Sequence, residues 1–548
     1  MESPPPTPDA FLNKLSIDAG QIEIALALPL QVLIGSWNVG NKMPPTSVDP
    51  WLPQGGGGFD VIAVGLQESS FKKSSSSSND VFDEDDDDEE NGEVVEVTEV
   101  SPPKQLQKSP SNASKRNLNS HYPFYQQLEE HFGQDYVIAG HVDLMEIRLI
   151  VFVHNRHEFT DVEKITEATG VGNVIGNKGG TVLKLVVDGI SLCFVNCHLA
   201  AHESQKFLDR RNSDCAEILN GARVGRKSLS LDHQFDHVFW FGDMNYRVNL
   251  AYSNGSNEEM TKEAHWEAVH ALVEQEGYAT LYANDQLQHQ LDQQKALAGW
   301  TTVPCNFPPT FKRIRGQQHE FTKQRVPSYC DRILWKSLPG YAKNLKLLKY
   351  ECVEAICTSD HKPILGAFEI ARYTPGPKTA LRNHQSLEVQ FTEMSATNLL
   401  AMDLTGQSDP YIKFYCTIPN LLLEDEAGKK HPQSGIVKAN VNPVWTDDQI
   451  PTLKIKARLN ELGKVHLVLV LMDYDAASSD DALGQVVLCM EEFYAEDGGG
   501  VAFERPVVQN GVPSGTLRGK ITITPSDKGL AGWEKTTNAV PGCTCNVM

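Results

Sequence analysis

No apolar run in the 548-residue chain is long enough to cross a bilayer, and the opening MESPPPTPDAFLNKL has no basic stretch followed by an apolar one. The sequence therefore reads as a chain without a membrane span or secretory leader, working in a reducing compartment. Cysteine is sparse: the 11 thiols are scattered, odd in number and free of any CxxC pair, which argues against a disulfide framework and against structural zinc. Positive charge is in deficit, with 49 Lys and Arg against 71 Asp and Glu and a formal charge of −22, so the basic face of a nucleic-acid binder is not expected. No GxSxG elbow occurs, and Cys197 and Cys330 sit in no nucleophile signature, which disfavours serine or cysteine catalysis. No internal repeat is visible.

What is present is ordinary globular material with a few unusual stretches. Hydrophobic residues make up 40% and charged residues 22% of the chain, enough for sizeable cores, and the length predicts two or three folded units. Residues 1–23 are proline-rich and read as a disordered N-terminus. Twelve acidic residues between Asp80 and Glu99 supply about half of the net excess. They lie in a low-complexity insertion over 71–120 that cannot bury enough apolar surface to offset its ordering entropy, so a disordered loop is expected. The stretch YTPGPKTALRN marks a linker at 373–384. It separates a first domain over 24–372 from a second over 385–524, rich in alternating runs such as LEVQF and VHLVLVL, and a tail over 525–548 follows.

Within the first domain one device recurs, an apolar run ending in a residue with chemical capacity. LQVLIGSWN ends at Asn38, FDVIAVGLQE at Glu68, ISLCFVNCH at His198, HVFWFGDMN at Asp243 and Asn245, and VEAICTSDH at Asp360 and His361. One such end is unremarkable because turns favour these residues; five predict strands converging on one site. Side chains two apart on a strand share a face, so Asp243 and Asn245 are expected to face one point. Oxygen donors such as Glu68 and Asn38 suit Mg²⁺, which keeps most of its waters and needs only one or two carboxylates. Imidazoles and carboxylates beside such a cation suit hydrolysis by an activated water. Cations recur nearby: Lys178 in the glycine-rich GNVIGNKGGT, Lys312 and Arg313 in PPTFKR, and Lys323, Arg325 and Arg332 in TKQRVPSYCDR. Such a set fits a polyanion bearing several phosphates; without the strand ends, surface cations on a loop would be the simpler account.

In chain order, WNVGN, LQE, GNKGG, NCHLAAHE, WFGDMNYR, PPTFK, RVPSYCDRILW and SDHKP resemble the motif series of the inositol polyphosphate 5-phosphatases, within the endonuclease/exonuclease/phosphatase superfamily, over roughly residues 30 to 372. The resemblance implies an α+β fold, a four-layer sandwich of two β-sheets flanked by helices with the site at one end. It also implies Mg²⁺-dependent removal of the 5-phosphate from phosphoinositides or soluble inositol phosphates. Carried over by motif, Asn38 and Glu68 hold the metal, and Asp243 with Asn245 orients the attacking water and the scissile phosphate. His361 contacts that phosphate, polarised by Asp331, and Asp360 and His198 complete the site. Whether Asp243 or His361 takes the proton stays open at this point. Lys178, in its glycine-rich stretch, falls to substrate, and Arg247 either touches substrate phosphate or braces the loop. Lys312, Lys323 and Arg325 match positions that grip the neighbouring 4-phosphate, favouring phosphatidylinositol 4,5-bisphosphate and 3,4,5-trisphosphate. Two departures bear on this: Phe311 stands where the family often has Tyr, and PSYCDR replaces PAWCDR. The lost hydroxyl predicts weaker 4-phosphate selectivity, whereas Tyr329 in place of Trp keeps the packing.

In the second domain Asp403 and Asp409 lie six apart, and Asp473, Asp475 and Asp481 form DxDxxxxxD. Turn aspartates are the commoner origin of such residues. Five carboxylates drawn together, however, repel unless a cation lies among them, and an oxygen cage for Ca²⁺ is the arrangement that holds them. The spacing, with SDPY and NPVW, resembles a C2 domain with its full set of calcium-ligand positions, implying an eight-stranded sandwich that docks on anionic membrane when Ca²⁺ fills its loops. The chain ends CTCNVM, in which Cys545 reads as a farnesylation site in a CaaX box. One lipid anchors only marginally and the tail has just Lys528 and Lys535, so a second signal is required, from palmitoylation of Cys543 or from the C2 domain. The resulting expectation is a cytoplasmic phosphoinositide 5-phosphatase held peripherally on the cytosolic face of a membrane, with no nucleic-acid partner. One alternative is a phosphodiesterase of the same superfamily acting on nucleic acid or sphingomyelin, against which Lys312, Lys323 and Arg325 speak. The other is a non-catalytic Ca²⁺ and lipid-binding adaptor, which would be expected to lack Glu68, Asp243 or His361.

Overall fold

The computed structural model of the chain describes residues 28–70, 122–170, 177–254, 260–373, 386–403, 406–425, 428–476 and 479–526. The expectations for the N-terminus, the acidic insertion, the linker beyond Tyr373, and Cys543 and Cys545 in the tail lie outside the described residues. Among the described residues no helix is long and apolar enough to cross a membrane. All nine described cysteines are free thiols.

The first domain opens with β1 (Leu30–Asn38), β2 (Val61–Gln67), β3 (Tyr136–Leu144) and β4 (Ile147–His154). Next come β5 (Phe159–Ala168), β6 (Gly179–Val187), β7 (Ile190–His198), β8 (His237–Asp243) and β9 (Asp331–Ser337), then β10 (Leu345–Cys352) and β11 (Ile364–Ile370). One six-stranded sheet runs β10-β11-β1-β2-β4-β3, and a five-stranded sheet runs β5-β6-β7-β8-β9. Their inner faces meet through Val32, Ile34, Ala63, Val151, Phe194, Phe239, Phe241 and Phe368. Each large apolar side chain buried this way stabilises the fold by about 1.5–3 kcal/mol. Helices close the outer faces. α1 (Pro123–Phe132) packs Phe124, Leu128 and Phe132 near Ile62, Val64 and Phe152. α2 (Gln205–Gly221) sets Leu208, Ile218 and Leu219 with Val182, Val195 and Trp240. This is a four-layer sandwich. α3 (Ala251–Asn254), α4 (Lys262–Glu274), α5 (Tyr278–Ala283) and α6 (Gln286–Asp292) follow β8.

Strands such as HVFWFGD are buried along their whole length because sheet lies on one face and helix on the other. Register then decides what shares an edge. β7 and β8 run parallel with His198 opposite Asp243, β8 and β9 run antiparallel with Asp243 opposite Asp331, and β1 and β2 run parallel with Asn38 opposite Gln67. The chemically capable ends of these strands therefore lie along one edge of the sandwich.

The second domain contains β12 (Ser386–Thr397), β13 (Pro410–Cys416), β14 (Leu453–Ile455), β15 (His466–Asp473), β16 (Asp481–Cys489), β17 (Val501–Gln509) and β18 (Val512–Ser526). They form one seven-stranded sheet, β13-β15-β16-β17-β18-β12-β14, curled around its own apolar core. An eighth strand, expected from the sequence, is not a ladder among the described residues. Its place is taken by isolated bridges, Lys413 to Gln433 and Ser395 to Val444, in a stretch where Pro432 and Pro443 have no N–H to donate. The domain docks on the end of the first sandwich where β8 starts and β9 finishes. There His466 Nε2 donates to Pro339 O at 2.7 Å, Ser230 N donates to Gln485 Oε1 at 3.1 Å, and Leu229 joins Tyr415, Val468 and Val470 in an apolar cluster.

Candidate active site

Asp243 stands at the centre of the edge that carries the strand ends. Its Oδ2 accepts from Asn38 Nδ2 at 2.9 Å and lies 3.3 Å from His198 Nε2 and 3.8 Å from His361 Nε2. Asn38 Nδ2 also donates to Glu68 Oε1 at 2.9 Å, and Lys178 Nζ lies 2.6 Å from His198 Nε2. On the far side His361 Nδ1 donates to Asp331 Oδ2 at 2.9 Å, an oxygen that also accepts from Thr310 Oγ1 at 2.6 Å. Two supports hold the imidazole from behind: Trp37 Nε1 donates to His361 O at 3.0 Å, and His361 N donates to Ser359 Oγ at 3.1 Å.

The electrostatics follow from burial and from these pairings. Burial opposes the charge on Asp243, but His361, His198 and Lys178 outweigh it and hold the carboxyl well below its ordinary range. Burial also works against a charged His361, and Asp331 and Asp243 overcome it, lifting the imidazole to about 10. Asp331 itself is raised, chiefly by its burial, against the pull of His361. Near neutral pH an ionised Asp243 thus faces a protonated His361. Burial lowers Lys178 and pushes the Cys197 and Cys330 thiols far up, which keeps both cysteines protonated.

The backbone that delivers these groups is special in two places. Gly242 has φ +135°, and a Cβ there would sit 2.1 Å from Cys197 O, so only glycine lets β8 pass this close to β7. Asn245 has φ +56° and its N–H donates to Asp243 Oδ1 at 3.1 Å. Asp243 and Asn245 are therefore joined by a turn, because β8 ends at Asp243, and the strand alternation expected from the sequence does not reach Asn245. Arg247 secures that turn, donating from Nη2 to Asn245 Oδ1 at 2.6 Å and from Nε to Asn245 O at 3.0 Å. Its guanidinium also lies 4.9 Å over the Phe311 ring, which is 4.5 Å from the ring of His361.

Asn38, Glu68, Lys178, His198, Asp243, Asn245, Arg247, Asp331 and His361 are thus brought together. Three other predicted residues are engaged with partners outside this group. Asp360 pairs with Arg315 at 3.1 Å, exposed Lys323 pairs with Glu267 at 2.8 Å, and Arg325 Nη1 donates to Gln324 O at 3.3 Å. Lys312 is half-buried in the loop between Phe311 and Arg313. Sequence reasoning passed over Thr310, Ser359 and Trp37, although the motifs PPTFK, SDHKP and WNVGN contain them.

Glu68, His198 and Asp243 place ligand atoms within 4.8 Å of one another, and partly exposed Glu68 supplies a hard oxygen at the open side. That donor set fits a small divalent cation. Asn38 is oriented differently from its predicted role: its Nδ2 faces both carboxylates while its Oδ1 accepts from Gly40 N at 2.9 Å, so it spaces the carboxylates instead of offering a cation its oxygen. In the second domain Asp409 N donates to Asp473 Oδ1 at 2.6 Å, and Asp473 lies opposite Asp481 in the β15–β16 register. Burial raises Asp473, and the charges of Asp403 and Asp475 add to that rise, which places these carboxylates close enough to repel.

A profile of the endonuclease/exonuclease/phosphatase family 2 matches residues 35–367, the span that holds every candidate site residue of the first domain. The chain belongs to that family. A C2 domain profile matches residues 387–504, so a C2 domain follows the family-2 domain. A phosphatidylinositol 3,4,5-trisphosphate 5-phosphatase 2A of Danio rerio is 25% identical over 531 residues, covering 91% of this chain and 36% of that protein. A phosphatidylinositol 3,4,5-trisphosphate 5-phosphatase 1 of Homo sapiens is 27% identical over 531 residues, covering 91% and 38%. The chain spans little more than a third of the length of these curated relatives. Among solved structures, the inositol polyphosphate 5-phosphatase domain of SPsynaptojanin, in complex with inositol (1,4)-bisphosphate and calcium ion, aligns with a TM-score of 0.46 at 23% identity, covering 67% of this chain and 91% of that one.

Proposed function

We propose that this family-2 protein is a Mg²⁺-dependent phosphatase that removes the 5-phosphate from phosphoinositides, foremost phosphatidylinositol 4,5-bisphosphate and 3,4,5-trisphosphate. The observation that carries the reading is the placement of Asp243 3.8 Å from the Nε2 of a His361 whose Nδ1 donates to Asp331, beside the oxygen donor of Glu68. The names of the relatives support the substrate class.

Glu68 would hold the cation, which supplies Lewis-acid polarisation of a phosphoryl oxygen. Asn38 keeps Glu68 and Asp243 at a fixed spacing. Asp243 and Asn245 orient the attacking water, and Asp243 accepts its proton, since a protonated His361 has no lone pair to offer. As the new P–O bond forms, the ester P–O bond to the inositol 5-oxygen breaks, and the proton taken up by Asp243 passes to that oxygen, which leaves as a hydroxyl. His361 Nε2–H donates to the phosphoryl oxygen, while Asp331 fixes the ring through Nδ1. Lys178, 2.6 Å from His198 Nε2, adds positive charge on the opposite side of Asp243. Lys312, Lys323 and Arg325 meet the 4-phosphate, Lys323 by leaving Glu267. Asp403, Asp409, Asp473, Asp475 and Asp481 take Ca²⁺ and seat the C2 domain on anionic membrane, with farnesyl at Cys545 and an acyl chain at Cys543 as further anchors.

The test is phosphate release from a panel of inositol phosphates and phosphoinositides with Mg²⁺, comparing wild type with Asp243→Ala. Release is expected from the 5-phosphorylated members, falling roughly 10³-fold in the variant. No release from any 5-phosphorylated member would overturn the proposal.

A further inference from the structure

We infer that Arg211 is a positioning residue that locks together the two strand-end loops carrying the reactive groups, an inference that rests on the phosphatase reading. Arg211 projects from α2 and is fully buried, yet no carboxylate hydrogen-bonds to it among the described residues. Its Nη1 donates to Ala200 O at 3.2 Å and His202 O at 2.9 Å, and its Nη2 donates to Gln286 Oε1 at 2.8 Å. A buried guanidinium served only by neutral acceptors weakens a fold compared with an apolar side chain of the same volume. What it brings is geometry, because a planar fork can hold one backbone segment directly and a second through the Gln286 side chain, a fixed arrangement that a lysine ammonium does not offer.

One of those segments follows β7. Ala200 and His202 lie just past His198, and Leu199 O accepts from Asn245 Nδ2 at 3.1 Å. The other follows β8. The oxygen of Gln286 that Arg211 holds also accepts from Arg247 N at 2.9 Å, and Gln286 N donates to Arg247 O at 2.9 Å. Arg247 in turn holds Asn245 Oδ1 at 2.6 Å. The contacts thus run from the His198 loop through Arg211, Gln286 and Arg247 to Asn245, and close on themselves at Leu199. Two neighbours on α2 work in the same sense: Asp214 Oδ2 accepts from Ala200 N at 2.9 Å, and Asn212 Oδ1 accepts from Tyr246 O–H at 2.8 Å. The Arg211 guanidinium also lies 5.3 Å over the Tyr246 ring, on the segment it braces.

The experiment uses the full chain with Arg211→Lys, Gln286→Leu, their double variant and the conservative Gln286→Glu. It reads kcat and KM for phosphate release from a soluble 5-phosphorylated inositol phosphate, together with amide hydrogen exchange. Arg211→Lys and Gln286→Leu should each lower kcat by roughly 30–100-fold with KM within about two-fold, because the rim cations stay in place while the reactive groups lose their relative setting. The double variant should fall no more than about two-fold below the worse single one, and Gln286→Glu should recover all but about three-fold of the loss, since it keeps the shared acceptor. Exchange should rise in 199–202 and 244–248 and not across the sandwich. A wild-type kcat in Arg211→Lys, single losses that multiply in the double variant, or exchange that rises uniformly would each overturn the lock. A wild type that releases no phosphate would count against the phosphatase reading, and the exchange pattern would still judge the lock by itself.

Discussion

Asp331 is fully buried behind His361, and its effect on the reaction passes through the imidazole's charge. Asp331→Asn keeps a hydrogen-bond acceptor beside Nδ1 but removes the carboxylate that does most among Asp331, Asp243 and Asp360 to lift His361 to about 10. The expected result is a kcat lower by roughly 10²–10⁴-fold, with the His361 ring titrating at lower pH by NMR. A variant with wild-type turnover would assign Asp331 to packing alone. Phe311 gives a second case. Its ring lies beneath Arg247 and beside His361, so Phe311→Tyr is expected to add one donor at the rim and lower KM for a 4,5-bisphosphate by about three- to ten-fold, with little change for a substrate lacking the 4-phosphate. Equal effects on both substrates would refute the selectivity argument. Glu68, Asp243 and His361 were legible in the sequence because each ends or follows a run too apolar to need it. The amide direction of Asn38 and the role of Thr310 were not, because each depends on a partner far along the chain, Gly40 being the only local one.

β8 shows what one element asks of its neighbour. It reaches the site only because Gly242 lets it lie against the backbone of Cys197 on β7, with a φ that side chains rarely adopt. Gly242→Ala is expected to lower stability by about 3 kcal/mol or more, read as a drop in the urea midpoint, since both the clash and the strained φ act on a central parallel pair. An unchanged midpoint would mean that the strands separate at no cost, contrary to the packing. The apolar runs of β1, β2, β7, β8 and β11 announced themselves as strands, but not their pairing. β1 joins β11 from opposite ends of the domain, and nothing local in either run specifies that partner. Likewise the eighth strand came only from the C2 resemblance, and near Pro432 and Pro443 two missing N–H groups leave isolated bridges.

Across the molecule, the junction between the domains holds buried histidines that respond to acid. Burial lowers His233 to about 4 and His237 to about 3, against an ordinary value of 6.5. Both are neutral in the fold and take up protons on unfolding, so their stabilising contribution is complete above about pH 6.5 and is lost as pH falls toward 4. Near pH 5 each withdraws about 2 kcal/mol. Asp236, raised to about 6 by burial, has the opposite sign and offsets part of that loss between pH 6 and 4. Tm should therefore fall between pH 7 and 5, and less steeply in His237→Gln; equal slopes would show that His237 is not the responsive group. The same junction sets what the C2 domain can influence. β8 spans seven residues from His237, beside the docking face, to Asp243, which puts about 20 Å of fully buried strand between the two. On the proposed reading, Ca²⁺ on the C2 loops acts on how often the cleft encounters lipid, by turning a search through solution into one over a surface, and leaves the turnover step at the far end of β8 unchanged. Chelating Ca²⁺ is expected to slow hydrolysis in anionic vesicles by at least about ten-fold while leaving a soluble inositol phosphate hydrolysed at its former rate.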